Sequence, residues 1–137
     1  MDYLLDTNAC IALNKGTPAA VRARFAAAVR GGAKVWVSAV VLHELWYGVA
    51  KSARPKENAE DLATFLAGAV QVLAFAADDA RAAGEVRALL ERIGKPIGAY
   101  DLLIAGQALS RGLTLVTANV REFGRVKGLV WEDWRKG

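Results

Sequence analysis

The sequence predicts an α/β fold in which a central parallel sheet of about four or five strands is sandwiched by helices. Two observations carry most of this reading. Short apolar runs alternate with longer stretches of helical spacing along the whole chain, which implies crossover connections and therefore parallel strands. Alanine, the best helix former, supplies 27 of the 137 residues while aromatic residues make up only 8%, which tilts the balance toward helix and away from an all-β sandwich. The length fits a single domain over residues 1–137, since one domain takes roughly 100–200 residues. Sheets of this kind place ligand sites at the carboxyl ends of their strands.

The elements follow in order. Tyr3-Leu4-Leu5 is a short strand ending in Asp6, and Thr7 to Leu13 is a short helix. Thr17-Pro18 supplies an N-cap and a first-turn proline for a helix through about Val29, which Gly31-Gly32 stops. Lys34 to Val37 is a second strand, and Ser38 caps a third helix running to about Ala50. Lys51 to Pro55 reads as a loop, Glu57 to Ala67 as a fourth helix and Val70 to Phe75 as a third strand. Asp78-Asp79 open a long amphipathic helix to about Ile93, with Arg92 near its end as the helix dipole prefers. Gly94 to Gly98 break the chain before an apolar helix from Tyr100 to Leu109. Leu113 to Val116 is a fully buried strand, and Leu129-Val130-Trp131 is the last. No internal repeat, low-complexity tract or linker interrupts the pattern.

Composition removes several classes. Hydrophobic residues make up 54% and charged residues 23%, unlike the polar, charge-biased chains that stay disordered. The longest stretch without charge, Leu62 to Ala77, includes Thr64 and Gln71 and is shorter than the roughly 18 apolar residues of a membrane span. The single Cys10 cannot form an internal disulfide, and Asp2 and Asp6 bracket only three apolar residues where a signal peptide would begin. The expectation is a cytoplasmic protein without a membrane partner. The net charge of +4 favours an anionic partner such as nucleic acid.

Three acids stand in the least polar segments. Asp6 ends the first strand, and Glu44 has Val40, Val41, Tyr47 and Gly48 as its helical neighbours. Asp101 is the only charged residue between Lys95 and Arg111. Each has a plain structural reading: Asp6 as an N-cap, Asp101 as a helix-dipole partner, Glu44 as the exposed residue of a buried helix. Taken together they suggest another role. A parallel sheet can gather all three at one edge, and burying three carboxylates without a cation costs several kcal/mol per charge. An oxygen-only set, with His43 the sole histidine, favours Mg²⁺ or Mn²⁺ over zinc.

Four segments carry a resemblance: Asp6-Thr7-Asn8 after the first strand, Ser38 to Leu45, Pro96 to Ala105, and Leu115 to Phe123. In this order, and with the closing Gly128 to Trp134, the chain resembles the PIN-domain ribonucleases, and most of all their VapC toxin branch. The resemblance spans essentially the whole sequence. It implies a PIN-like fold, with Asp6, Glu44 and Asp101 as catalytic residues that hold Mg²⁺, Mn²⁺ being a possible substitute. It places Asn119 in the family's variable fourth position, often an Asp, so a firmly held second ion is not expected. Thr7 and Thr117 stand beside this cluster, and Thr117 joins the candidate catalytic set as a donor to water or phosphate.

The implied activity is metal-dependent endoribonucleolytic hydrolysis of RNA, inhibiting translation and growth, with structured RNA such as tRNA as the expected substrate. The implied partners are a cognate VapB-type antitoxin and a second copy of the chain in a homodimer. Lys15, Arg22, Arg24, Arg54, Lys56, Arg121 and Arg125 are candidates for phosphate contacts. Trp46, Tyr47, Trp131 and Trp134 are available for base stacking or for packing, and Ile11, Leu13 and Phe25 for an antitoxin groove or for core. Two rival readings differ in chemistry. In a phosphoaspartate module, a receiver or small phosphatase, Asp6 would be the nucleophile, but Asn8 stands where such a phosphatase has its second acid. In a catalytically silent RNA-binding PIN domain the acids would serve no ion.

Overall fold

The computed structural model describes residues 1–136. In chain order the elements are β1 (Tyr3–Leu5), α1 (Thr7–Lys15), α2 (Ala19–Arg30), β2 (Val35–Ser38), α3 (Ala39–Lys51) and α4 (Pro55–Leu66). They continue with β3 (Val70–Leu73), α5 (Ala77–Arg92), α6 (Ala99–Arg111), β4 (Thr114–Val116), α7 (Val120–Phe123) and β5 (Trp131–Glu132), closed by a 3₁₀ turn at Trp134–Lys136. The five strands form one parallel sheet in the order β3-β2-β1-β4-β5. Register pairs Leu5 with Val37 on one side and with Val116 on the other.

This order places the site. From β1 the chain winds outward through β2 to β3, then returns past β1 to lay down β4 and β5. The direction of winding reverses between β1 and β4, and a crevice opens beyond the carboxyl ends of the strands at such a reversal. Asp6 follows β1 and Thr117 follows β4 there, and the Asp6 N–H donates to Val116 O at 3.1 Å.

The centre of the sheet is apolar on both faces: Leu4, Leu5, Val37 and Leu115 have no exposed surface. That is why these strands read as unbroken apolar runs rather than alternating ones. Caps end the helices where the sequence supplies them. The Ser38 hydroxyl accepts from Val40 N–H at 3.1 Å to start α3, and α1 and α6 close on left-handed Gly16 (φ 76°) and Gly112 (φ 65°), a conformation that costs glycine nothing.

Several boundaries differ from those the sequence suggests. Thr17 does not cap α2; Pro18 occupies the capping position with ψ 150° and no side-chain bond, because proline and its extended backbone delay the helix to Ala19. Lys51 belongs to α3, and Pro55 opens α4 as a first-turn proline, so the loop is shorter than expected. Strand β3 stops at Leu73, since Ala74 O turns to the side chains of Gln107 and Arg111 instead of the ladder. Strand β5 is Trp131–Glu132 rather than Leu129–Trp131, set by pairing of Val116 with Glu132. The short α7 and the terminal 3₁₀ turn had no periodic signal.

One packed unit supports the site from behind. Helices α5 and α6 approach until a Cβ on Gly106 would lie 2.5 Å from Ala83 Cα, so only glycine permits that crossing. At the same interface Asp79 is fully buried and receives two bonds from Arg111, at 3.0 and 3.1 Å, and one from Gln107 at 3.2 Å. It also takes the Ala76 N–H at the start of α5. Burial raises its pKa, but Arg111 and these donors outweigh burial and hold it down at about 2.

Candidate active site

Asp6 sits at the end of a strand, and Glu44 and Asp101 sit on helices. Asp6 is 5% exposed at the end of β1, and its Oδ1 accepts from Ala9 N–H at 2.8 Å, capping α1. The plain capping reading of Asp6 is therefore correct, and it costs only one of the two oxygens. Burial pushes the Asp6 pKa up; Thr117 and Ala9 bonds oppose that, while the charges of Glu44 and Asp133 add to it.

Glu44 is half-buried on α3, and Thr7 Oγ1 donates to its Oε1 at 2.8 Å. Asp101 sits half-buried in the first turn of α6. Its pKa is pushed up to about 7, first by burial, then by a hydrogen bond shared with Glu122, then by the charges of Glu122, Asp6 and Glu44. Four acids thus face one another across the crevice: Asp6, Glu44, Asp101 and Glu122.

Thr117 is buried at the end of β4, beside Asp6, whose pKa it lowers, and accepts from Asn119 N–H at 2.9 Å. Asn119 Nδ2 donates to Glu122 Oε2 at 3.1 Å. The structure therefore brings all five sequence-derived candidates, Asp6, Glu44, Asp101, Thr117 and Asn119, to the carboxyl edge of β1 and β4. It adds Glu122, which the sequence reading passed over. A carboxylate three residues beyond Asn119 and one before the buried Phe123 was its only signal. Among the described residues no three of these acids close into a preformed ligand cage; Glu44 is held by Thr7.

The surface beyond the acids is partly as expected. Arg24 pairs with Glu132 at 2.9 Å and Arg54 with Glu57 at 3.1 Å, while Arg22 and Arg125 donate to backbone carbonyls. Among the described residues Lys15, Lys56 and Arg121 are exposed and make no ion pair. Trp134 is excluded from base stacking because it is 2% exposed and packs edge-on against Tyr3 at 5.1 Å. Trp46, Tyr47 and Trp131 are exposed. A groove of about 620 Å³ runs between α1, α3 and α4, with Ile11 on its wall and Glu44 at its rim. Leu13 is core rather than groove, and Phe25 packs against the core. No helix among the described residues is long and apolar enough to cross a membrane.

Comparison with known proteins agrees with this geometry. The PIN domain family model matches residues 3–129. The tRNA(fMet)-specific endonuclease VapC of Shigella flexneri is 45% identical over 134 residues, covering 98% of both chains. In the crystal structure of VapBC2 from Rickettsia felis bound to a DNA fragment from its promoter, the matching chain superposes with a TM-score of 0.91 at 36% identity, over 98% of this chain and 99% of that one. For DNA-bound VapBC from Salmonella typhimurium the TM-score is 0.89 at 40% identity, with 98% of each chain covered. The chain belongs to the PIN-domain family, within its VapC ribonuclease branch.

Proposed function

We propose that this chain, as a single PIN domain, is a Mg²⁺-dependent endoribonuclease toxin that hydrolyses phosphodiester bonds in tRNA and is held in check by a VapB-type antitoxin. One observation supports this most: Asp6, Glu44, Asp101 and Glu122 crowd one crevice, where burial first and the neighbouring acids next push the pKa of Asp101 up to about 7. Mutual repulsion of this kind is the mark of a site built for a cation rather than for stability. Metal dependence is general among PIN-domain ribonucleases. The donor set is all oxygen, which suits a hard divalent ion, Mg²⁺ or Mn²⁺.

Asp6, Glu44 and Asp101 are the residues that would hold the ion. When bound there, the ion would supply Lewis-acid neutralisation of the phosphate and lower the pKa of a water. The chain's own groups do the positioning. Ala9 N–H fixes Asp6, Thr7 fixes Glu44, and Asn119 fixes Glu122. Because Asn119 is neutral, the site carries less charge for a second ion than one with an Asp there.

The tRNA assignment draws on the Shigella relative, and the antitoxin on structural neighbours that are VapBC complexes. The groove leading to Glu44 suits an antitoxin segment, and its carboxylate rim, with Asp61 on the wall, suits a basic side chain. The chain acts in the cytoplasm as a homodimer in this reading. Nothing in the geometry favours the phosphoaspartate alternative, in which the other acids would have no common task.

The test is cleavage of a tRNA(fMet) transcript by the purified chain, with Mg²⁺ or with EDTA. Mg²⁺ supports cleavage and EDTA abolishes it, and Asp6→Asn, Glu44→Gln and Asp101→Asn each lose it while keeping the fold. Undiminished cleavage in EDTA would refute the metal role. A base-labile phosphoryl group on Asp6 would revive the rival.

A further inference from the structure

Beyond the acids, a second cavity of about 260 Å³ opens between α1 and the C-terminal turn. It shares a wall with the site, because Thr117, which stands beside Asp6, lines it. Strand pairing explains the proximity: Thr117 N–H donates to Glu132 O at 3.0 Å, so Asp133 and the turn after β5 emerge beside the carboxyl end of β4.

The cavity has small apolar walls, Ala9, Ala12 and Ala118 among them, with Asn8 and Arg135 also lining it. Its volume falls below the roughly 300–1,000 Å³ of drug-sized pockets, so it suits one flat ring system rather than a helix or a paired duplex. The turn that closes it is firmly held. Glu132 takes bonds from Arg24 at 2.9 Å and from Trp134 Nε1 at 3.0 Å, and Trp134 is buried.

Arg135 is the unusual member. Its Nε and Nη2 bind the two oxygens of Asp133 at 3.1 and 2.9 Å, and its side chain remains 50% exposed. A two-point bond to a carboxylate fixes the guanidinium plane, and such planes stack on nucleobases. Asn8 is exposed on α1, and its carboxamide both donates and accepts, as recognition of a base edge requires.

We propose that this cavity is the subsite for one unpaired nucleobase of the RNA, next to the scissile phosphate at the ion that Asp6 would help to hold, with Arg135 as its stacking shelf and Asn8 as its edge reader. The proposal rests on the ribonuclease reading and specifies how that site holds its substrate. Asp133 acts as a positioning residue for Arg135.

The probe is an RNA stem-loop spanning the mapped cut in tRNA(fMet), made intact or with a single abasic nucleotide at each position flanking the cut. With wild type, one flanking abasic lesion raises KM about tenfold, the scale of one lost base stack. Arg135→Gln raises KM on intact RNA similarly, and combining it with that lesion adds little further, because both remove one contact. Arg135→Lys, which keeps charge but not the plane, fails to restore KM. Ala12→Leu, which fills the cavity, behaves as Arg135→Gln does; if it does not fold, the surface variant Arg135→Gln decides. Equal KM at every abasic position, or full additivity of lesion and variant, overturns the subsite while leaving the ribonuclease reading in place. No cleavage of intact RNA by wild type overturns both.

Discussion

Thr7 Oγ1 donates to Glu44 Oε1 at 2.8 Å, joining the first turn of α1 to the middle of α3 across 37 residues of sequence. The bond fixes one of the proposed metal-holding carboxylates from outside the metal set. Partners of this kind set the orientation of a ligand, and their loss typically costs 10–100-fold in activity or metal affinity. Thr7→Val is therefore expected to lower the rate of tRNA cleavage by about 10–100-fold with little change in melting temperature. Thr7→Ser should restore most of the rate. Initial rates across a Mg²⁺ titration check this, and an unchanged rate in Thr7→Val would mean that Glu44 is oriented by something else.

Asp101 gives a stability prediction with the opposite sign to an ordinary capping acid. Its pKa in the fold, about 7, lies above the usual unfolded value of about 3.9. Between these values the native state binds the extra proton, so this group makes the metal-free protein lose stability as pH rises from about 4 through about 7. Asp101→Asn removes that penalty. The variant is expected to melt at or above the metal-free parent at pH 8, with a smaller advantage at pH 5, and to lose most of the Mg²⁺-induced rise in melting temperature. A variant destabilised by roughly 0.3–1 kcal/mol with its metal response intact would reduce Asp101 to a helix-dipole residue.

Asp79 behaves in the reverse sense. Its native pKa, about 2, lies below the unfolded value, so its contribution is complete above about pH 4 and is lost as pH falls toward 2. Asp79→Asn leaves the donors of Arg111 and Gln107 without their charged acceptor and is expected to cost about 2 kcal/mol at pH 7. The difference between parent and variant should shrink on acidification through that window. Urea unfolding at pH 7 and at pH 3 measures it; a constant difference would show that Asp79 titrates alike in the folded and unfolded states, with no pKa shift from Arg111.

Gly106 sets the approach of α5 to α6. An added Cβ meets backbone and Cβ atoms of Ala83 at 2.5 and 2.7 Å, and backbone cannot swing aside as a side chain can. Gly106→Ala is expected to destabilise the protein by about 1–3 kcal/mol through overpacking. Since α6 also carries Asp101, cleavage should fall as well, whereas Gly84→Ala, with open space at its Cβ, should be neutral or slightly stabilising. Paired melts and cleavage assays of the two variants distinguish a close helix crossing from a merely tolerated glycine.

The features legible in the residue order alone are local or periodic. Apolar runs at Tyr3–Leu5 and Val35–Val37, and Leu115-Val116 after the buried Thr114, reflect burial on both faces of a central sheet. Asp6, Glu44 and Asp101 were legible because a carboxylate in an apolar segment is costly without a reason, and the reason is visible in one residue and its neighbours.

The tertiary structure alone decided which acids meet. Glu122 joins Asp101 only because α7, four residues long, follows β4 at the reversal point of the sheet; so short a helix leaves no period to read. Asp79 looked like a helix-dipole residue until α6 brought Arg111 to it across 32 positions. Trp134, which the sequence left open to stacking or packing, is likewise settled by its contact with Tyr3, which buries it. Periodicity encodes which face of an element avoids water, whereas the partner of a buried charge depends on the strand order, which no local pattern records.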